Sequence, residues 1–223
     1  MLGKANGGGV VAFLNVNCPH SSTITIKNGN ITRTATGTSV SFKLQRIGNW
    51  TITATYGSIT ETRTVSMSAG QTRTETMLSS LYAYNHGSYA SWFSRGWSTS
   101  SGDSDRGGEA STYVYAYGSA ANVIGYTTTS NGSVNLTGFR TVQLTFNGWA
   151  SLFPDSDWGG EYSLRILNAS TNAVLWTQTY YAPSSQSNAT ISVNVSNINV
   201  PVKFSIEGKT QGNIQLVAIR LIA

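Results

Sequence analysis

Apolar and polar residues alternate with a period of two over most of the chain, and Gly or Asn interrupts the alternation at short intervals. In the first third the alternating stretches are residues 10–16, 22–27, 30–36, 39–44, 49–56, 59–67 and 71–77. The breaks between them fall at Asn28-Gly29, Gly37, Gly48, Gly57 and Ala69-Gly70. Alternation of this kind puts successive side chains on opposite faces of a strand. In Thr51-Ile52-Thr53-Ala54-Thr55 the threonines share one face and the apolar residues the other, as a half-buried antiparallel sheet requires. Turn signals every 8–12 residues then predict a small β-sandwich over residues 10–78.

Beyond residue 78 the strands lengthen. Stretches 81–84, 90–97, 111–117, 123–128, 138–147, 160–168, 173–181, 189–195, 202–207 and 213–222 read as about ten strands, which predicts a larger, jelly-roll-like β-sandwich over 79–223. The final run, 214–222, is too apolar for an exposed edge and is expected to lie centrally or at an interface. Residues 1–9 are Gly-rich and read as a flexible arm. The expected fold class is therefore all-β in two domains.

Composition agrees. Ser and Thr fill 58 of the 223 positions while charged residues make up only 10%, a balance foreign to a helical bundle. Residues 1–78 hold seven basic residues against two acidic ones, whereas 79–223 hold seven of each, together with five of the six Trp and ten of the eleven Tyr. The two domains thus present different surfaces. A nucleic-acid role is not expected, because the cations of the first domain are dispersed along Thr-rich strands and its aromatics sit at apolar positions. No apolar run is long enough to span a bilayer, and no signal peptide is recognised. Cys18 has no cysteine partner, and His20 and His86 are isolated in sequence, so neither a disulfide nor a zinc site is expected. Cys18 reads as a small buried or turn residue.

One signal exceeds composition. Gly96-Trp97, Asp103-Ser104-Asp105, Gly107-Gly108-Glu109 and Ser111 recur 52 residues later as Gly148-Trp149, Asp155-Ser156-Asp157, Gly159-Gly160-Glu161 and Ser163, nine identities in sixteen positions without a gap. Six of the nine acidic residues fall in these two segments. Three readings compete. The carboxylates Asp103, Asp105 and Glu109, or Asp155, Asp157 and Glu161, supply hard oxygen ligands for Ca²⁺. Alternatively, Asp closes Asx-type turns and the Gly-Gly pairs permit positive φ before the next strand. In the third, Trp97, Trp149 and Trp158 stack on a sugar whose hydroxyls bond the carboxylates. Catalysis is not expected: no nucleophile elbow, metalloprotease motif or phosphate loop is present, although paired carboxylates also serve glycosidases. Tyr113-x-Tyr115-x-Tyr117 and Tyr82-x-Tyr84 put aromatics on one face of a strand, a pattern of cross-strand packing or of a subunit interface.

The short Gly-punctuated strands of residues 10–77, with Gly48-Asn49-Trp50-Thr51 through Tyr56-Gly57, resemble immunoglobulin-like or PEGA-like modules of virion proteins from tailed bacteriophages and prophages of Gram-positive bacteria. Leu81-Tyr82-Ala83-Tyr84-Asn85-His86-Gly87 through Gly96-Trp97 is similar to the opening of a β-sandwich module that follows such domains. The resemblance implies a non-enzymatic virion protein, a capsid decoration, fibre, tail or baseplate component, assembled in the host cytoplasm. Its first domain would dock to other virion proteins and its second would be displayed toward a host-surface glycan. Homo-oligomers are common among such proteins. The rival expectation is a carbohydrate-binding module of a bacterial cell-surface or secreted glycan-degrading system.

Overall fold

A computed structural model of the chain describes residues 11–100, 106–118, 125–152 and 159–223. Every regular element among them is a β-strand, so the chain is all-β. It divides between Ser80 and Leu81 into two compact units.

The N-terminal unit is a five-stranded sheet of β1 (Ala12–Asn28), β2 (Ile31–Leu44), β3 (Gly48–Tyr56), β4 (Ile59–Met67) and β5 (Thr72–Thr76), in the order β2-β1-β3-β4 with β5 on β1. The stretches 10–16 and 22–27 form one strand, not two, and so do 30–36 and 39–44. A register irregularity between Asn17 and Ser22 absorbs the intervening residues, and Gly37 pairs with Ser22 instead of ending the strand. The first half of β1 pairs in parallel with β5 and its second half antiparallel with β3. Leu14, Val16, Ile24, Ile26, Trp50, Ile52 and Val65 fill the core. On the outer face threonines face one another across strands, as in Thr25–Thr34 at 3.0 Å and Thr53–Thr62 at 3.3 Å. Glu75 on β5 is buried and accepts bonds from Arg63 of β4 at 2.7 Å and Arg73 at 2.6 Å.

The C-terminal unit is a sandwich of two sheets. The first, seven-stranded, contains β16 (Ser184–Asn194), β13 (Thr141–Ala150), β18 (Gly212–Ile222), β10 (Val114–Tyr117) and β9 (Gly107–Glu109) in that order, with β6 (Ser80–Asn85) on β18 and β7 (Ser88–Tyr89) on β6. The second, six-stranded, runs β15 (Val174–Tyr181), β14 (Glu161–Asn168), β17 (Pro201–Lys209), β11 (Gly125–Ser130) and β8 (Trp97–Thr99), with β12 (Val134–Asn135) on β17. The inner faces meet through Leu144, Phe146, Leu164, Phe204, Ile206, Ile214 and Ile219. Phe146 of one sheet lies 5.6 Å from the Tyr180 ring of the other. As its apolar run implies, β18 is central, flanked by β13 and β10.

Two expectations need correction here. Residues 90–97 are not a strand: after β7 the chain turns, burying Phe93, and only Trp97–Thr99 pair again. Tyr82 and Tyr84 do not share a face either. Ala83 and Tyr84 are both fully buried, which breaks the alternation, and Tyr82 lies outside with Arg220 5.5 Å from its ring centre.

Candidate functional site

The outward face of the seven-stranded sheet carries a row of aromatic rings. β10 and the residue just before it present Tyr113, Tyr115 and Tyr117 outward because Val114 and Ala116 take the core side. Across β18, Tyr115 is opposite Gln215 and Tyr117 opposite Asn213. β13 continues the same rows with Asn147 and Trp149. Side chains lean over the intervening strand, so the Tyr117 and Trp149 rings lie 5.9 Å apart. Ring spacings of 6.2 Å from Tyr113 to Tyr115 and 4.9 Å from Tyr115 to Tyr117 complete the ridge. Trp149 is 39% exposed, a large apolar surface held in water at the end of a rigid strand.

Polar groups are fixed between the rings. Gln215 Nε2 donates to the Tyr117 hydroxyl at 2.8 Å, and the same hydroxyl is hydrogen-bonded with that of Tyr113, so the phenols of the row are tied to one another. Burial pushes the Tyr117 phenol up, so it stays protonated at neutral pH. Asn147 Oδ1 accepts the backbone N–H of Asn188 at 2.7 Å, orienting the amide. On the inner side of this strand Gly148 is required: a Cβ there would stand 2.4 Å from the Tyr162 ring.

The sequence repeat has a structural meaning. In its first copy the chain leaves β8 of the six-stranded sheet and re-enters at β9 of the seven-stranded one; in its second it leaves β13 and re-enters at β14, crossing in the opposite sense. The Gly-Gly pairs serve close approach at these crossings more than left-handed backbone. Gly107, Gly159 and Gly160 lie outside the positive-φ region, and a Cβ on Gly160 would stand 2.2 Å from the Gln211 carbonyl carbon.

The two described tryptophans of the repeat consequently part company. Trp149 is on the outer ridge. Trp97 pairs with buried Ser130 on the core side and packs 6.0 Å from Tyr84. Trp158, Asp103, Asp105, Asp155 and Asp157 lie outside the described residues, and so does most of each candidate calcium loop. Of the two described carboxylates, Glu161 bonds Lys209 at 2.9 Å on the six-stranded sheet. Glu109, on β9, faces the phenols of Tyr84 and Tyr89; burial first, and this carboxylate after it, push the Tyr89 hydroxyl well up. Burial likewise raises the Cys18 thiol, as befits a buried structural cysteine.

No family model matches the chain, and no curated protein matches it. Among solved structures it is similar to a CBM4 protein (16% identity, 56% of this chain and 85% of that one, TM-score 0.34). It is also similar to one of the carbohydrate-binding modules of the β-sandwich superfamily (12% identity, 98% and 88%, TM-score 0.32). A third is CBM86, a low-affinity xylan-binding module from Roseburia intestinalis (13% identity, 64% and 92%, TM-score 0.33). Likenesses this loose have no bearing on what the chain binds.

Proposed function

We propose that the C-terminal unit is a non-catalytic glycan-binding module whose contact surface is the Tyr113, Tyr115, Tyr117 and Trp149 ridge. The observation that carries the reading is the exposed Trp149 ring continuing a row of three tyrosines, with the Gln215, Asn213 and Asn147 amides set between them. The apolar C–H faces of pyranose rings stack on such rings, and amides bond their hydroxyls. A row suits an extended chain of sugars better than a single one. Catalysis has no part in the reading: the two described carboxylates of the repeat lie on different sheets, and Glu161 is committed to Lys209. Affinity electrophoresis of the full chain through gels containing soluble xylan, mixed-linkage β-glucan or galactan tests it. At least one polymer should retard the protein, and Trp149→Ala should abolish the retardation while leaving mobility in plain gels unchanged. Equal retardation of both proteins, or none in any gel, would contradict the assignment.

Where the module is carried is a separate proposal, which follows the virion resemblance of the N-terminal unit. Lys27, Arg33, Lys43 and Arg46 have no carboxylate partner among the described residues, whereas Arg63 and Arg73 are neutralised by Glu61 and Glu75. That unit therefore offers uncompensated positive charge to an acidic partner surface. Reversing these four charges should abolish incorporation into particles; undiminished incorporation would count against docking through this unit.

A further inference from the structure

A cleft of about 340 Å³ opens on the outer face of the six-stranded sheet, between the end of β11 and the turn joining β14 to β15. It is floored by Leu167 and walled by Ser98, Ser100, Asn131, Asn172 and Lys203. Among the described residues no carboxylate lines it. Glu207, two outward positions further along β17 from Lys203, is held by Arg165.

Hydrogen-bond bookkeeping gives the cleft its character. The Ser98 hydroxyl donates to Asn131 Oδ1 at 2.5 Å, which occupies one lone pair of that oxygen, orients the amide and leaves the Asn131 Nδ2 hydrogens as donors. Ser100 Oγ accepts the Thr127 N–H at 3.2 Å and keeps its own hydrogen to donate. The side chains of Asn172 and Lys203 make no hydrogen bond or ion pair among the described residues. Among the described residues, donors therefore outnumber acceptors around one ammonium without a carboxylate partner, and Leu167 offers an apolar floor.

We propose that this cleft binds an acidic sugar, its oxyanion, a carboxylate or a sulfate ester, on Lys203 with Asn131 and Ser100 donating, and its ring against Leu167. The anion satisfies what the wall supplies in excess, and the floor requires a body that a free inorganic ion lacks. The site is separate from the aromatic ridge and does not depend on it.

NMR titration of the full chain with glucuronate, glucose, glucose 6-sulfate and inorganic sulfate tests the proposal. Glucuronate or glucose 6-sulfate should shift the resonances of Ser100, Asn131 and Lys203 and bind at least about tenfold more tightly than glucose, which lacks the charge-assisted bond. Comparing the two acidic sugars tells carboxylate from sulfate ester. Binding should weaken as salt is raised, vanish in Lys203→Met and survive in Trp149→Ala. Three outcomes would overturn it: glucose binding equally well, inorganic sulfate competing as strongly as the sugar acids, or Lys203→Met binding unchanged. Loss of polymer binding in Trp149→Ala with glucuronate binding intact would keep the two sites distinct.

Discussion

At the scale of single residues, the sharpest energetic feature is Glu75. Burial alone would raise its carboxyl, but the bonds from Arg63 and Arg73 outweigh burial and hold it below the usual carboxylate range. A carboxyl depressed on folding contributes stability that is present above the unfolded-state value, near ~4.3, and is lost as pH falls through the lower folded value. Urea unfolding should therefore show Glu75→Gln about 1–3 kcal/mol less stable than the native chain at neutral pH, since the two guanidiniums lose their shared acceptor. The gap should close as pH falls through the depressed folded value, where the native chain loses the same charge. A constant gap down to acid pH would mean that packing, not charge, sets the cost. Trp149 is the milder case: it is 39% exposed and its ring rests on Tyr117 outside the core, so Trp149→Ala should cost only about 1–2 kcal/mol in urea unfolding, too little to unfold the chain.

At the scale of elements, β13 joins stability to function, because Gly148 lets Tyr162 pack directly beneath the strand that displays Trp149. Gly148→Ala should cost about 1–3 kcal/mol in thermal unfolding through overpacking against the Tyr162 ring, and an unchanged melting temperature would refute that contact. Elements were also where the sequence could be read best. The Thr alternation of β3 and the central place of β18 follow from period and apolarity alone. Gly37 misled because glycine in an alternating stretch marks a break only when its backbone leaves the strand, and here it pairs across the irregularity of β1. The Tyr113, Tyr115, Tyr117 stripe was legible as one face of a strand. Its junction with Trp149 was not, since it depends on β18 lying between β10 and β13, pairings 62 residues or more distant in sequence. The cleft at Lys203 is less legible still, being assembled from β8, β11, β14 and β17 together with the turn after β14.

At the scale of the whole molecule, the N-terminal unit concentrates positive charge and the C-terminal unit aromatic surface. Within the latter, the repeated segments cross between sheets in opposite senses, placing Trp149 outside one sheet while Trp97 turns into the core. The ridge and the cleft thus occupy opposite sheets and share no residue. Trp149→Ala should weaken polymer binding equally, to within about 0.5 kcal/mol, whether introduced into the native chain or into Lys203→Met, and should leave glucuronate binding unchanged, as measured by titrating each ligand against all four proteins. A larger deviation would reveal a single continuous site. The central claim is that the exposed ring row is a sugar-binding surface, and isothermal titration of the full chain with the best-retarding polysaccharide tests it most directly. The account predicts measurable binding in the native chain and at least about tenfold weaker binding in a Trp149→Ala protein that still unfolds cooperatively well above the titration temperature; equal affinity of the two proteins would contradict it.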